Sequence, residues 1–203
     1  MITEPKTQRG RATRERIIAC ADALIAERGV SATSLEDILA GVGASKSQMY
    51  HYFGDRQDLV HAVVARRCEY VVGEIVESLG QVDSIRGLER WLDAQVAQQR
   101  RVGYVGGCPI GSLATELADR DDDARSSLAA AFDIWEGAME SAIRRIQKRG
   151  ELRPEASPAK LATALLASAE GGLLLSQTRK SGKPLRTALD AWLAHLRSFA
   201  ART

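Results

Sequence analysis

The sequence predicts an all-α protein in which three short N-terminal helices precede a larger helical domain. Apolar residues recur at the three- and four-residue spacing of helices, and no stretch of four to eight residues has the pattern of a strand between turn signals. Ser, Asp, Gly and Pro residues divide the chain into nine such helical segments. The 203 residues, 45% of them hydrophobic, are enough to bury a core without disulfides or metal ions.

Three short helices are predicted before residue 54. The first stops at Gly29, and the second stops at residues 41–43, which are Gly-Val-Gly. The second and third begin with capping boxes, in which a serine is followed three residues later by Asp37 or Gln48. The predicted N-caps of these helices are Thr13, Ser34 and Ser45.

Six mostly longer helices are predicted after residue 54. Their first residues are typical helix starts, with Asp in the first turn or as a cap and Pro at the first helical position. We therefore expect two domains, residues 1–54 and residues 55–203. The six helices begin at or next to Asp55, Ile85, Pro109, Asp121, Pro158 and Pro184.

Composition and spacing argue against several classes of protein. Lys and Arg total 28 and Asp and Glu total 26, so the net charge of +2 excludes a uniformly basic coat protein. There is no glycine-rich phosphate loop, nucleophile elbow or helix with paired metal-binding histidines, so we expect no enzyme, no metal and no cofactor. Cys20, Cys68 and Cys108 fit no zinc or disulfide spacing, which together with the lack of a secretion signal predicts a cytoplasmic protein.

The second and third helices have the layout of a helix-turn-helix, since both are short and a glycine-containing turn joins them. The third can bury Met49 and Phe53 and present its polar side chains to a DNA duplex. Lys46 can reach a phosphate or a guanine edge, and Gln48 has the donor and acceptor that match adenine. Gln48 can instead bond back to the amide of Ser45, and the sequence leaves both possibilities open.

Residues 1–16 carry a net charge of +3, from five basic and two acidic residues. A flexible basic arm of this kind can add phosphate contacts beside a helix-turn-helix, although a solvated tail has the same composition. The basic residues are Lys6, Arg9, Arg11, Arg14 and Arg16.

The stretch from Thr13 to Leu59 resembles the DNA-binding domain of TetR/AcrR-type transcriptional repressors. The resemblance rests on residues 45–53, Ser-Lys-Ser-Gln-Met-Tyr-His-Tyr-Phe, followed by Asp55-Arg56 and Leu59. It implies a homodimer that binds a pseudo-palindromic operator in double-stranded DNA and releases it when a small-molecule effector binds. It also implies base contacts from Lys46, Ser47 and Gln48, and phosphate contacts from Ser34, Tyr50, Tyr52 and Arg56.

Residues 106–117 are similar to the LmrA/YxaF-like branch of that family, whose members respond to drugs and other small aromatic or lipophilic compounds. We expect an effector pocket among helices four to seven, although a stripe of aromatic residues is also typical of plain core. Cys108, at the start of the sixth helix, is either a redox sensor or a small core residue. The candidate effector-binding residues are Trp91, Tyr104, Leu113, Phe132, Trp135 and Met139.

A dimer interface is predicted from the last two helices. The eighth is rich in small residues, which allow close backbone approach, and the ninth carries an apolar stripe that is either interface or internal core. The candidate interface residues are Ser168, Gly172, Leu189, Trp192 and Leu196. The alternative to a repressor is a small-molecule carrier whose helix-turn-helix no longer binds DNA.

Overall fold

A computed structural model describes residue 5 and residues 7–201, and within these residues it contains nine α-helices and one isolated antiparallel bridge, between Leu152 and Ala200. The predicted all-α fold is confirmed. Among the described residues, none of the helices combines the length and the hydrophobicity of a membrane-spanning segment. The helices are α1 (Gln8–Arg28), α2 (Leu35–Val42), α3 (Lys46–Tyr52), α4 (Arg56–Gly80), α5 (Ile85–Arg101), α6 (Pro109–Leu117), α7 (Asp122–Lys148), α8 (Pro158–Arg179) and α9 (Lys183–Arg197).

The chain forms two compact units. The first comprises Met1–Tyr70 and Ser112–Leu128, and the second comprises Val71–Gly111 and Ala129–Thr203. Helices α4, α6 and α7 therefore each contribute residues to both units. The division into residues 1–54 and 55–203 is a functional one and stays a prediction.

Helix α1 begins earlier than predicted. Its N-cap is Thr7, whose hydroxyl accepts a hydrogen bond from the Gly10 amide at 3.1 Å, whereas Thr13 lies inside the helix and donates to the Arg9 carbonyl. Gly10 makes this start possible, because a Cβ there would lie 2.9 Å from the Pro5 side chain. A flexible arm is thus contradicted for Arg9 and Arg11, which are helical, whereas Arg14 and Arg16 lie in the helix as the predicted cap at Thr13 implies; Lys6 lies outside the described residues.

The predicted capping boxes of α2 and α3 are both confirmed. The Asp37 amide donates to the Ser34 hydroxyl at 3.1 Å, and the Ser34 amide donates back to the Asp37 carboxylate. In α3 the corresponding bonds join Ser45 and Gln48, at 3.2 and 2.9 Å. Between the two helices Gly43 adopts a left-handed conformation (φ +64°), which a glycine reaches without strain.

The core of the first unit fixes α3 by its apolar face. Met49 and Phe53 are 0% and 1% exposed, as their position opposite the polar side chains predicts. Apolar residues of α1, α2 and α4 are buried in the same unit. They are Ile17, Ile18, Ala21, Ile25, Ile38, Leu39, Leu59, Val60, Val63 and Val64.

The second unit contains the closely packed pair α8 and α9. Gly172 of α8 lies against the backbone of Leu185, where a Cβ would come within 2.9 Å of the Leu185 Cα. The indole of Trp192 is buried and donates to the Leu161 carbonyl at 3.0 Å. Close backbone approach at Gly172 and the apolar residues of α9 therefore build this interface together.

We predict opposite effects for two glycine substitutions in helices. Gly172→Ala should lower the free energy of unfolding by about 1–3 kcal/mol, because the new methyl group meets backbone atoms that cannot move aside. Gly137→Ala on α7, where a Cβ meets nothing within 4 Å, should raise it by up to ~1 kcal/mol. Urea denaturation at matched protein concentration measures both, and equal stabilities would contradict the close α8–α9 packing.

Candidate functional site

Helix α3 presents a polar face to solvent. Lys46, Ser47, Gln48 and Tyr50 are exposed, and the Tyr50 side chain is 56% exposed although it is large and aromatic. Tyr52 is half-buried and packs edge-to-face on His51, with ring centroids 5.0 Å apart. The structure thus brings the predicted α3 side chains together on one short, rigidly capped helix.

Lys46 forms an ion pair with Glu36 of α2. Its Nζ atom lies 2.8 Å from Glu36 Oε1, and both side chains are mostly exposed. The hydrogen bond between them raises the pKa of Lys46 and lowers the pKa of Glu36. A phosphate or a guanine base would have to compete with this carboxylate for the ammonium group.

Gln48 is engaged in its own capping box. Its side-chain carbonyl accepts a hydrogen bond from the Ser45 amide at 2.9 Å, which leaves the donors of its Nε2 for any other partner. A bidentate contact with adenine needs both the acceptor and a donor of the amide. Such a contact would therefore require the Ser45–Gln48 capping bond to open.

Arg56 holds the turn between α1 and α2. Its guanidinium donates to the carbonyls of Val30 and Thr33 at 2.5 and 2.8 Å. On α6, the Glu116 carboxylate accepts from the amide of Val30 at 2.8 Å and from that of Ser31 at 3.4 Å. The turn is therefore fixed through both its carbonyls and its amides, and Arg56 contributes to the position of α2 whether or not it reaches a phosphate.

A groove of about 470 Å³ runs between the N-terminal turns of α1 and the start of α3. Two arginines line it, and none of its lining residues is acidic. Arg16 also donates to the Val42 carbonyl at 3.1 Å, which ties α1 to the end of α2. The groove is lined by Thr7, Arg9, Gly10, Ala12, Thr13, Arg16, Gly43, Ala44, Gln48 and Tyr52.

Asp121 binds two side chains of α4 and caps α7. Its carboxylate lies 2.8 Å from His61 Nε2 and 2.5 Å from Gln57 Nε2, and it accepts from the Ala124 amide at 3.0 Å. Burial alone would raise the pKa of Asp121, but these hydrogen bonds together lower it. The carboxylates of Asp121 and Glu116 are thus both engaged with groups of the protein itself.

The candidate effector residues are not all in one unit. Leu113 is buried in the first unit, and the other five lie in the second. The rings of Phe132 and Trp135 stack with centroids 6.2 Å apart, and the Trp91 indole donates to the Ser78 hydroxyl at 2.9 Å. Met139 is buried and Tyr104 is half-buried, with a left-handed backbone (φ +58°). The Trp135 Nε1 atom is buried and donates to no group in the described part of the chain.

Cys108 does not have the low pKa that its place at the start of α6 suggested. Burial, followed by the nearby Glu170 carboxyl, raises the pKa of the Cys108 thiol to about 12. The neutral thiol is a poor nucleophile, so the structure does not favour redox sensing by this residue. Glu170 was not among the predicted site residues, although it is the one acidic residue in the sequence of α8.

Two family models match this chain. The model for bacterial regulatory proteins of the tetR family matches residues 17–63, and the model for the tetracyclin repressor-like C-terminal domain matches residues 84–192. The chain belongs to the TetR family. Its homologues and its fold are those of transcriptional regulators with a DNA-binding helix-turn-helix, which are not enzymes.

Relatives of the TetR family match over most of the chain. The HTH-type transcriptional regulator Rv0196 of Mycobacterium tuberculosis is 32% identical over 178 residues, 85% of this chain and 88% of the relative. LmrA of Bacillus subtilis is 29% identical over 175 residues, 85% of this chain and 90% of LmrA, which confirms the resemblance to that branch. The crystal structure of a TetR transcriptional regulator from Chloroflexus aurantiacus is 27% identical, with a TM-score of 0.82 over 96% of this chain and 98% of that chain.

TetR-family regulators function as dimers, and most of the residues predicted for the dimer interface are buried within this chain. Leu189, Trp192 and Leu196 are at most 4% exposed because they are covered within the chain's own second unit, and Gly172 is buried against Leu185. Of the predicted residues only Ser168 lies partly exposed. It lines a mostly apolar groove of about 630 Å³ formed by Ala167, Ser168, Gly171, Gly172, Leu175, Arg179, Ser181, Lys183, Pro184, Thr187, Ala188 and Ala191.

We predict that Asp121→Asn destabilises the protein in a pH-dependent way. At pH 7 the free energy of unfolding should fall by roughly 1–3 kcal/mol, since the hydrogen bonds to the charged carboxylate weaken. Because the folded-state pKa of Asp121 is lowered, this stabilisation is fully present above the ordinary Asp value of about 4 and is lost as the pH falls through the folded-state value. Urea denaturation at several pH values measures the effect.

Asp123→Asn is the matched control, since this aspartate is exposed in the first turn of α7. Asp123→Asn should change the free energy of unfolding by less than about 0.5 kcal/mol at any pH, as is usual for surface substitutions. Equal losses in the two variants would show that helix charge, and not the contacts with His61 and Gln57, determines the role of Asp121.

Proposed function

We propose that this chain is a homodimeric cytoplasmic repressor that binds a pseudo-palindromic operator and leaves it when a small lipophilic or aromatic effector binds. The observation that carries the DNA-binding part is the exposed polar face of α3, fixed from beneath by buried Met49 and Phe53. The chain's membership of the TetR family supports the rest. In this proposal residues 1–54 bind DNA, and residues 55–203 bind the effector and the second subunit.

Base contacts are assigned to the first turn of α3, where Lys46, Ser47 and Gln48 are exposed together. Phosphate contacts are assigned to Ser34, Tyr50 and Tyr52, because hydroxyl groups suit phosphate oxygens. We add Arg9 and Arg16 of the α1–α3 groove to the phosphate set, since they are cations beside the same helix. Arg56 acts mainly through its bonds to the α1–α2 turn.

Effector release requires a link between the two units. Helix α4 runs without interruption from Arg56 to Gly80, so it contributes residues to both. An effector that prefers one arrangement of this helix lowers operator affinity only by its differential affinity for that arrangement. The proposed effector-binding residues are those in the second unit, Trp91, Tyr104, Phe132, Trp135 and Met139, and Leu113 of the first unit stays an expectation from the sequence alone.

Operator binding tests the DNA-binding role directly. The purified protein is used to select genomic DNA fragments, and its binding to them is measured by fluorescence anisotropy. The affinity should fall steeply as the salt concentration rises, and scrambled DNA should not displace the selected fragments. Tyr50→Ala should weaken binding about tenfold through loss of a phosphate contact. Lys46→Ala should weaken it too, with a salt slope lower by about 1 if the ammonium group contacts a phosphate.

Lys148→Ala is the matched control for charge, because this exposed lysine ends α7 far along the chain from α3. It should bind the selected DNA like the wild type. A selection that returns no fragment, or α3 variants that bind as tightly as the control, would overturn the repressor proposal in favour of a small-molecule carrier.

We propose the groove on α8 and α9 as the dimer surface, in place of the buried stripe of α9. Small residues such as Ala167, Gly171, Ala188 and Ala191 line it, and Leu175 is 44% exposed beside them. An exposed apolar surface of this kind is typical of an interface between subunits. Ser168 and Gly172 stay in the proposed interface because they line the same groove.

Ala191→Asp should convert the dimer to a monomer, because it places a charge in a desolvated interface. Analytical ultracentrifugation over a range of concentrations measures the change. Ala129→Asp, at an exposed position of α7, introduces the same charge elsewhere and should leave the dimer intact. A dimer that survives Ala191→Asp would place the interface on another surface.

A further inference from the structure

Glu36 is an exposed carboxylate beside the face that is proposed to bind DNA, and the proposed contacts give it no role. It lies in the first turn of α2, its side chain is 67% exposed, and its Oε1 atom is 2.8 Å from Lys46 Nζ. Lys46 is the first residue of α3, and the N-terminal residues of a recognition helix are those that contact base edges. A base pair that Lys46 contacts is therefore within reach of Glu36 as well.

Helix α2 does not depend on the Glu36 carboxylate for its cap. The capping box is formed by Ser34 and Asp37: the Ser34 hydroxyl is 2.6 Å from Asp37 Oδ2, and each side chain accepts from the amide of the other residue. A negative charge in the first turn favours the helix dipole, but Asp37 supplies one there too. Since an exposed ion pair such as that of Glu36 and Lys46 contributes little to stability, loss of the Glu36 carboxylate should leave the fold intact.

DNA binding would take away the partner of this carboxylate. The hydrogen bond to Lys46 lowers the pKa of Glu36, so the group is charged at neutral pH. When the ammonium group turns to DNA, an unpaired negative charge is left beside the phosphate backbone, which repels it. Glu36 then favours binding only where the DNA offers it a hydrogen-bond donor. In the major groove these donors are the amino groups at cytosine N4 and adenine N6.

A G·C pair offers partners for both side chains. Guanine N7 and O6 are adjacent acceptors for the ammonium group, and cytosine N4 donates next to O6. The O6 and N4 atoms are hydrogen-bonded to each other in the base pair, so they lie about 2.9 Å apart, close to the 2.8 Å between Lys46 Nζ and Glu36 Oε1. In an A·T pair the adenine amino group lies between the acceptors N7 and O4, so the ammonium group finds no two adjacent acceptors.

We infer that Glu36 is a specificity-determining residue of the operator contact and that, together with Lys46, it recognises one G·C pair in each half-site. Lys46 donates to guanine N7 and O6, and Glu36 accepts from cytosine N4. This inference rests on the proposed function, because it takes α3 to lie in the major groove. A base pair that presents no amino group at this place leaves the carboxylate repelled, so Glu36 acts mainly by disfavouring other sequences.

N4-methylcytosine tests this contact within the operator. It keeps the hydrogen that pairs with guanine and replaces the hydrogen that faces the major groove, so it removes the donor without changing the base sequence. Each cytosine of a half-site in a selected fragment is methylated in turn, and the affinity of the full-length protein is measured by fluorescence anisotropy. At one cytosine, methylation should weaken binding of the wild type about tenfold and binding of Glu36→Ala about twofold or less.

Two further variants separate a hydrogen bond from a general effect of charge. Glu36→Gln retains an acceptor oxygen, so methylation of the same cytosine should still weaken its binding about threefold or more. Glu27→Ala is the matched control, since it removes a glutamate that is 68% exposed in the last turn of α1, in the same unit. It should respond to methylation like the wild type. Circular dichroism establishes that each variant is folded.

Equal effects of methylation on the wild type and on Glu36→Ala would show that Glu36 only neutralises Lys46, and would overturn the inference. A wild type that is insensitive to methylation at every cytosine would also overturn it, without recourse to any variant.

Failure of the proposed function gives a different result. A selection that returns no fragment would overturn the repressor proposal and this inference together. An operator that Tyr50→Ala binds more weakly, but in which no cytosine is sensitive to methylation, would support DNA binding by α3 and overturn the role of Glu36 alone.

Discussion

The turn between α1 and α2 is the constraint on which the position of the helix-turn-helix depends. Its carbonyls at Val30 and Thr33 accept from the Arg56 guanidinium at the start of α4, and its amides at Val30 and Ser31 donate to the Glu116 carboxylate of α6. A charged side chain thus hydrogen-bonds to each type of backbone group in the turn, and hydrogen bonds to charged groups are stronger than neutral ones. Because the turn leads directly into α2, these contacts also position α2 and α3, which follows it.

Helix α3 has two turns, with one face packed in the core and the opposite, polar face exposed to solvent. Met49 and Phe53 anchor α3 in the core, the Ser45–Gln48 capping box fixes its first turn, and the remaining polar groups stay exposed. Two of these groups are engaged within the free protein, since Lys46 is paired with Glu36 and Gln48 with Ser45. In the proposed complex, groups of the DNA replace Glu36 as the partner of Lys46 and the Ser45 amide as the partner of Gln48. DNA sequences that offer equivalent acceptors and donors are therefore favoured over sequences that do not, which increases specificity.

The sequence predicts the local parts of this structure and misses the long-range ones. Caps at Ser34 and Ser45 follow from patterns three residues long, and burial of Met49 and Phe53 follows from helical spacing. The bond between Val30 and Glu116 joins residues 86 positions apart, and no local pattern identifies such a pair. Periodicity likewise shows that Leu189 and Trp192 face an apolar surface, but it does not say whether the same chain or a second subunit covers them. Thr7 and Thr13 both have the side chain of a good cap, and in the structure Thr7 is the cap, with Gly10 close to the Pro5 side chain. The base, phosphate and effector contacts stay predictions.

Hydrogen–deuterium exchange of the full-length protein, with and without a selected operator fragment, is the most direct test of the central claim that the exposed face of α3 binds DNA. The account predicts that DNA slows amide exchange in residues 34–53 and in the first turns of α1, and leaves the exchange of α8 and α9 unchanged. Unchanged exchange in residues 34–53, or protection confined to the second unit, would contradict it.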